Sequence, residues 1–152
     1  MGPTYQRLSP LEHILKRPDT YVGSLEKETS KQWILDETKT SMIQKEIEHI
    51  PALDKIFDEI LVNAIDQSSV DELTDTIKVS IDVEKNEISV SNNGKGISVA
   101  KHETENMLIP ELIFGELLTS SNYDDTEKRT VGGRNGYGAK LANIFSSEFD
   151  LE

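Results

Sequence analysis

The chain has 152 residues, 36% of them hydrophobic, a length and complement that fit one domain with a core able to stand without staples. Zero cysteines exclude disulfides and thiolate metal sites, and no apolar run approaches the ~20 residues of a membrane span, so the chain reads as soluble and intracellular. A formal charge of −12 disfavours general contact with nucleic acid, whose affinity rests on cations meeting phosphate; a DNA partner is expected to be held by other parts of a larger protein.

Ser9, Pro10, Leu11 and Glu12 form a capping box with proline at the first helical position, which predicts a short helix ending before Pro18. Asp19 to Ser24 reads as a turn-rich connector. Gln32 to Asp36 and Met42 to Ile50 hold short or alternating apolar runs that predict strands, the second also compatible with a helical period. From Pro51 the pattern is helical: Leu53, Ile56, Phe57, Ile60, Leu61, Ala64 and Ile65 gather into one stripe. Glu59, Asn63 and Asp66 fall on a line away from that stripe. Such a line is ordinarily a solvated face, but Val62 among them points to a covered one, where a carboxylate beside a carboxamide is a candidate for site chemistry.

Ile77, Val79, Ile81 and Val83 alternate with polar residues, a turn follows near Lys85 and Asn86, and Ile88 and Val90 resume the alternation. This predicts a β-hairpin with one buried face. Its second strand runs into N-N-G-K-G-I, Asn92 to Ile97, where two glycines either make a simple turn or let a ligand approach the backbone. Pro110 opens a helix with Leu112, Ile113, Phe114 and Leu117 facing inward. Thr119 to Arg129 is polar and turn-rich, the composition of a lid.

The lid leads to V-G-G-R-N-G-Y-G-A-K-L-A-N-I-F, Val131 to Phe145, in which four glycines precede a helical pattern. Glycines let N–H groups aim at one point and a helix N-terminus adds positive partial charge, so the stretch reads as a phosphate cradle, with a plain surface loop as the alternative. It is not a Walker A loop, because Ala139 separates Gly138 from Lys140, nor does it space its glycines as G-x-G-x-x-G. Phe149 to Glu152 is read as the start of a further strand.

Taken together, E-I-L-V-N-A-I-D, N-N-G-K-G-I and G-G-R-N-G-Y-G-A-K resemble the three boxes of the nucleotide-binding domain shared by DNA gyrase, large heat-shock chaperones, sensor histidine kinases and mismatch-repair ATPases. Within that superfamily, L-E-H-I-L-K-R-P-D-T-Y-V-G-S, I-F-D-E-I-L-V-N-A and I-F-G-E-L-L-T-S-S-N-Y-D-D resemble the ATPase domain of eukaryotic type II DNA topoisomerases, from about Tyr5 to Phe149. Asn92, where most members of the superfamily carry Asp, and Lys55, where gyrases carry His, support the narrower match. Val70 and Ser98 depart from it, standing where relatives often have Arg and Pro.

The resemblance implies an α/β two-layer sandwich of the Bergerat (GHKL) type, with a mixed, mostly antiparallel sheet, helices on one face and the nucleotide between helix and lid. It implies one ATP-binding domain over residues 1–152, residues 1–8 forming an N-terminal arm, with the fold truncated and the following transducer domain absent. It implies that Glu59 is the general base for the water attacking the γ-phosphate and that Asn63 is the protein ligand of Mg²⁺. Asp66 would make a structural or water-mediated contact, and Asn92 would accept from the adenine amino group, with Ile97, Ile113 and Phe114 near the base. Ser120, Ser121 and Asn122 would approach ribose and phosphates, while Arg134, Asn135, Gly136, Tyr137, Gly138, Ala139 and Lys140 would wrap the triphosphate. Tyr5 would reach the other protomer's nucleotide. Partners so implied are ATP or an ATP-competitive inhibitor, DNA through the full-length protein, and a second protomer there, with this stretch alone expected to be monomeric or to dimerise weakly; the implied location is the nucleus. A nucleotide-binding switch without useful turnover is the alternative, which Glu59 argues against because a pure binder needs no base.

Overall fold

Helix α1, Pro10–Lys16, is fixed at its start by the predicted capping box: the Ser9 N–H donates to the Glu12 carboxylate at 2.8 Å and the Glu12 N–H donates to Ser9 Oγ at 3.3 Å. In the computed structural model, residues 5–118 and 137–152 are described, in two units spanning Met1–Lys55 and Ile56–Glu152.

In the first unit the expected connector contains a one-turn helix, α2, Asp19–Val22. Pro18, at φ −60°, already has helical geometry and its carbonyl accepts from Tyr21 at 2.9 Å; Gly23, at φ 84°, ends the turn. Strands β1, Glu28–Leu35, and β2, Met42–His49, pair antiparallel from Glu28↔His49 to Leu35↔Met42. β1 thus begins four residues before the predicted strand, because backbone pairing with β2 recruits the polar E-T-S-K segment that has no apolar alternation. The connecting loop is organised by Asp36, whose carboxylate accepts from the Thr40 N–H at 2.8 Å and from the hydroxyls of Thr38 and Ser41. These donors hold its carboxyl far below the usual carboxylate range. Ile14, Val22 and Ala52 are the buried apolar side chains of this unit.

Helix α3, Pro51–Val70, crosses into the second unit, where β3, Ile77–Asp82, and β4, Glu87–Asn92, form an antiparallel hairpin from Ile77↔Asn92 to Asp82↔Glu87. Its tight turn follows from Asp82 Oδ1 accepting the N–H groups of Glu84 and Lys85, each at 3.1 Å, with Asn86 at φ 53°. Val83 therefore belongs to the turn and is 80% exposed. Among the described residues the expected buried face is only partly covered: Ile77 and Val90 are half-buried, whereas Val79, Ile81 and Ile88 are 44, 61 and 43% exposed. Alternation marks an apolar side; it does not supply a layer to cover it.

Helix α4, Ile109–Gly115, starts with the Leu108 N–H donating to the Glu111 carboxylate at 3.0 Å. It stops before Leu117, which is half-buried, and Ile113 is 36% exposed rather than inward. Helix α5, Gly138–Phe145, buries Ala139, Lys140, Leu141 and Ala142. Asn143 Nδ2 donates to the Phe114 carbonyl at 3.0 Å and the Phe114 and Phe149 rings lie 5.9 Å apart, which joins α4, α5 and the last residues. That packing replaces the strand expected at Phe149 to Glu152, which is irregular. The described residues thus form an α/β fold whose strand pairing is antiparallel, in two ladders of two strands.

Candidate functional site

Helix α3 is the spine of the site. Its half-buried Glu59 carboxylate lies directly against Gly138, the first residue of α5: a Cβ built on Gly138 would overlap Glu59 Oε2 and stand 3.2 Å from Cδ. Only glycine lets the end of the glycine-rich loop approach that carboxylate. One turn on, Asn63 is exposed and donates Nδ2 to the Glu59 carbonyl at 2.6 Å, so its Oδ1 is the end of the carboxamide suited to a cation or donor. Val62 and Asp66 are half-buried, in keeping with a partly covered face.

At the far end of α3, Asp71 and Thr74 are only 8 and 5% exposed. Asp71 Oδ2 accepts the Lys95 N–H at 2.8 Å, Asp71 Oδ1 accepts the Leu73 N–H at 3.2 Å, and the Thr74 hydroxyl donates to the Asn93 carbonyl at 3.0 Å. Donation first from Lys95 and then from Leu73 lowers the Asp71 carboxyl below its usual range. Gly94 sits at φ 108° with no space for a Cβ, which would overlap Thr74 Oγ1 and lie 2.6 Å from Asp71 Oδ2. Asn93 is consumed by the same network, accepting from the N–H groups of Asp75 and Thr76 at 3.1 and 2.9 Å and donating to the Asp75 carboxylate at 2.9 Å. Its neighbour Asn92 is exposed and donates Nδ2 to the Asn93 carbonyl at 2.9 Å. Ile97, beyond the turn, is 40% exposed.

Gly138 therefore meets α3 at Glu59, and the N-N-G-K-G turn meets the end of α3 at Asp71. Tyr137 is half-buried beside Gly138. Lys140 is 5% exposed, and burial pushes its ammonium pKa down, so it gains from an anionic neighbour. The described contacts of Phe114 are to Asn143 and Phe149, at a cleft of about 580 Å³ also lined by Met107 and Leu151. Tyr5 is 91% exposed and belongs to the first unit. Ser120, Ser121, Asn122, Arg134, Asn135 and Gly136 lie outside the described residues, as does the lid from Thr119 to Arg129. Sequence reasoning missed Asp71, Thr74 and Asn93; the D-x-x-T spacing after a helix, an Asx-turn signal, was the available clue.

Among the described residues no three His, Asp or Glu side chains are grouped as ligands for a metal ion. Asn63 Oδ1, with Nδ2 turned to the Glu59 carbonyl, is an amide oxygen of the kind that a hard cation takes as a ligand.

Residues 48–151 match the family described as histidine kinase-, DNA gyrase B-, and HSP90-like ATPase. The chain is 63% identical over 148 residues to DNA topoisomerase 2 of Meyerozyma guilliermondii, covering 97% of this chain and 11% of that protein, so it spans about a tenth of such a relative's length. Among solved structures it is similar to the ATPase region of Saccharomyces cerevisiae topoisomerase II, with TM-score 0.89, 59% identity, and coverage of 94% of this chain and 38% of that one. It is likewise similar to the ATPase and transducer domains of DNA topoisomerase II from Balamuthia mandrillaris, with TM-score 0.88, 55% identity, and coverage of 93 and 36%. With α3, the N-N-G-K-G turn and the start of α5 all inside the matched span, the chain belongs to the histidine kinase-, DNA gyrase B- and HSP90-like ATPase family and is homologous to the ATPase region of DNA topoisomerase II.

Proposed function

We propose that this chain is the ATP-binding and ATP-hydrolysing module of a type II DNA topoisomerase, and that Glu59 is its general base. The observation that carries this reading is the contact between the Glu59 carboxylate and Gly138, where the glycine-rich loop enters α5. Amides of such a loop bind phosphate, so a carboxylate at its end is within reach of a water attacking the terminal phosphorus. Glu59 takes the proton of that water as its oxygen bonds to the γ-phosphorus; the β–γ bridging P–O bond breaks, leaving ADP and phosphate. Asn63 would hold Mg²⁺, which would supply neutralisation of phosphate charge when bound. Asn92 reads adenine, Asp66 orders the site through water, Ser120, Ser121 and Asn122 meet ribose and phosphate, and residues 134–140 wrap the triphosphate, with Lys140 as a fixed charge.

In the whole protein, DNA and a second protomer are the further partners, Tyr5 reaching toward the second protomer's nucleotide, and the nucleus is the site of action. The chain is expected to bind ATP and to turn it over slowly. The test is Glu59→Ala: calorimetric titration with a non-hydrolysable ATP analogue and Mg²⁺ should retain its heat, while phosphate release in the longer region falls about 10²- to 10⁴-fold. Unchanged phosphate release would overturn the assignment.

A further inference from the structure

The family reading leaves the buried pair Asp71 and Thr74 without a role, although several hydrogen bonds converge there. Asp71 is 8% exposed, and its two carboxylate oxygens accept from backbone N–H groups on opposite sides, Leu73 at 3.2 Å and Lys95 at 2.8 Å. The second bond reaches 24 positions along the chain and clamps the middle of N-N-G-K-G to the end of α3. Thr74 adds the bond from its hydroxyl to the Asn93 carbonyl at 3.0 Å, and that same carbonyl accepts Asn92 Nδ2 at 2.9 Å. One oxygen atom therefore links the clamp to the Asn92 carboxamide. Gly94 is held at φ 108° against both side chains, so the turn has no freedom to shift toward α3.

We propose that Asp71, with Thr74, is a positioning residue for base selection: it fixes the N-N-G-K-G turn so that Asn92 presents its amide oxygen, rather than its amide nitrogen, to the base. The inference rests on the reading of Asn92 as the adenine contact. With Nδ2 committed to the Asn93 carbonyl, Oδ1 is the end that meets a ligand, and an acceptor there favours the exocyclic amine of adenine over the carbonyl of guanine. Release of the clamp frees the carboxamide to rotate and meet either base.

The experiment is calorimetric titration of the chain with non-hydrolysable ATP and GTP analogues, for wild type, Asp71→Asn, Thr74→Val and Asn92→Ala. Asp71→Asn turns one acceptor into a donor facing the Lys95 N–H or the Leu73 N–H. The expected result is a fall in ATP affinity of about tenfold or more with GTP affinity unchanged or raised, so that the ATP:GTP preference collapses. General loss of folding would weaken both nucleotides together and leave that ratio intact. Should Asp71→Asn fail to fold by circular dichroism, Thr74→Val, which removes one hydroxyl at nearly constant volume, decides by the same ratio. A wild-type ratio retained in the folded clamp variants overturns the proposal. If Asn92→Ala also retains it, the adenine assignment of Asn92 falls as well; if Asn92→Ala alone loses it, only the positioning role of Asp71 falls.

Discussion

Three carboxylates in this protein, Glu59, Asp71 and Asp36, are governed by the groups beside them. At Gly138 the absent Cβ admits the Glu59 carboxylate, so Gly138→Ala should push that carboxylate aside. A displacement near 1 Å at a reacting group costs about 10²-fold, and phosphate release should fall by that order while analogue binding weakens less. Equal losses in the two assays would show that Gly138 serves binding alone. Asp71 gives a pH signature. Its folded-state pKa lies below the unfolded value of about 3.9, so the stability it contributes is present above that value and is lost as pH falls through the folded pKa. Thermal melts taken from about pH 5 down to about pH 2 should show a decline setting in at about pH 4 that is shallower in Asp71→Ala, whose melting point is already lower near neutrality. Asp36 titrates in the same direction for the same reason, donation first from the Thr40 N–H and then from the Thr38 hydroxyl. Glu59, Asn63 and Asp66 were legible in the sequence as a line on a helix. The clamp from Asp71 to Lys95 was not, because Lys95 becomes its neighbour only after the chain returns through β3 and β4.

At the level of elements, local chemistry explains most beginnings and ends. Ser9 caps α1 as its spacing to Glu12 dictates, and Ser9→Ala should cost about 1 kcal/mol in denaturant unfolding. The single fully buried side chain on that helix, Ile14 at 0% exposure, should cost more: Ile14→Ala is expected at about 2–5 kcal/mol, since it removes transfer energy and leaves a cavity. A denaturation midpoint no lower for Ile14→Ala than for Ser9→Ala would contradict the burial. The β-hairpin at Ile77 to Asn92 was visible through its period of two, and α3 through its period near 3.6, because each pattern is written within one element. The early start of β1 and the one-turn helix after Pro18 were hidden, the first because backbone pairing ignores side-chain polarity, the second because one turn is shorter than any period that can be counted.

For the molecule as a whole, charge is the property with the clearest consequence. With 28 acidic against 16 basic residues, the chain should not shift duplex DNA in a gel at about 0.15 M salt, a measurement that separates nucleotide chemistry from DNA contact. Retardation at that salt would place a DNA-binding surface on this acidic chain. The order of the three nucleotide-family segments, their glycines, the helix that carries Glu59, and thereby the family itself were all determined by sequence, since spacing along a chain records local geometry directly. Tertiary structure alone decided that Gly138 meets α3 at Glu59, that Lys95 meets the end of α3 at Asp71, and that Phe114 packs on Phe149. It also decided that the apolar side of β3 and β4 lies partly open among the described residues. The physical reason is the same throughout: periodicity states which residues share a face, whereas what that face meets depends on chain segments tens of positions away, whose approach leaves no mark on local composition.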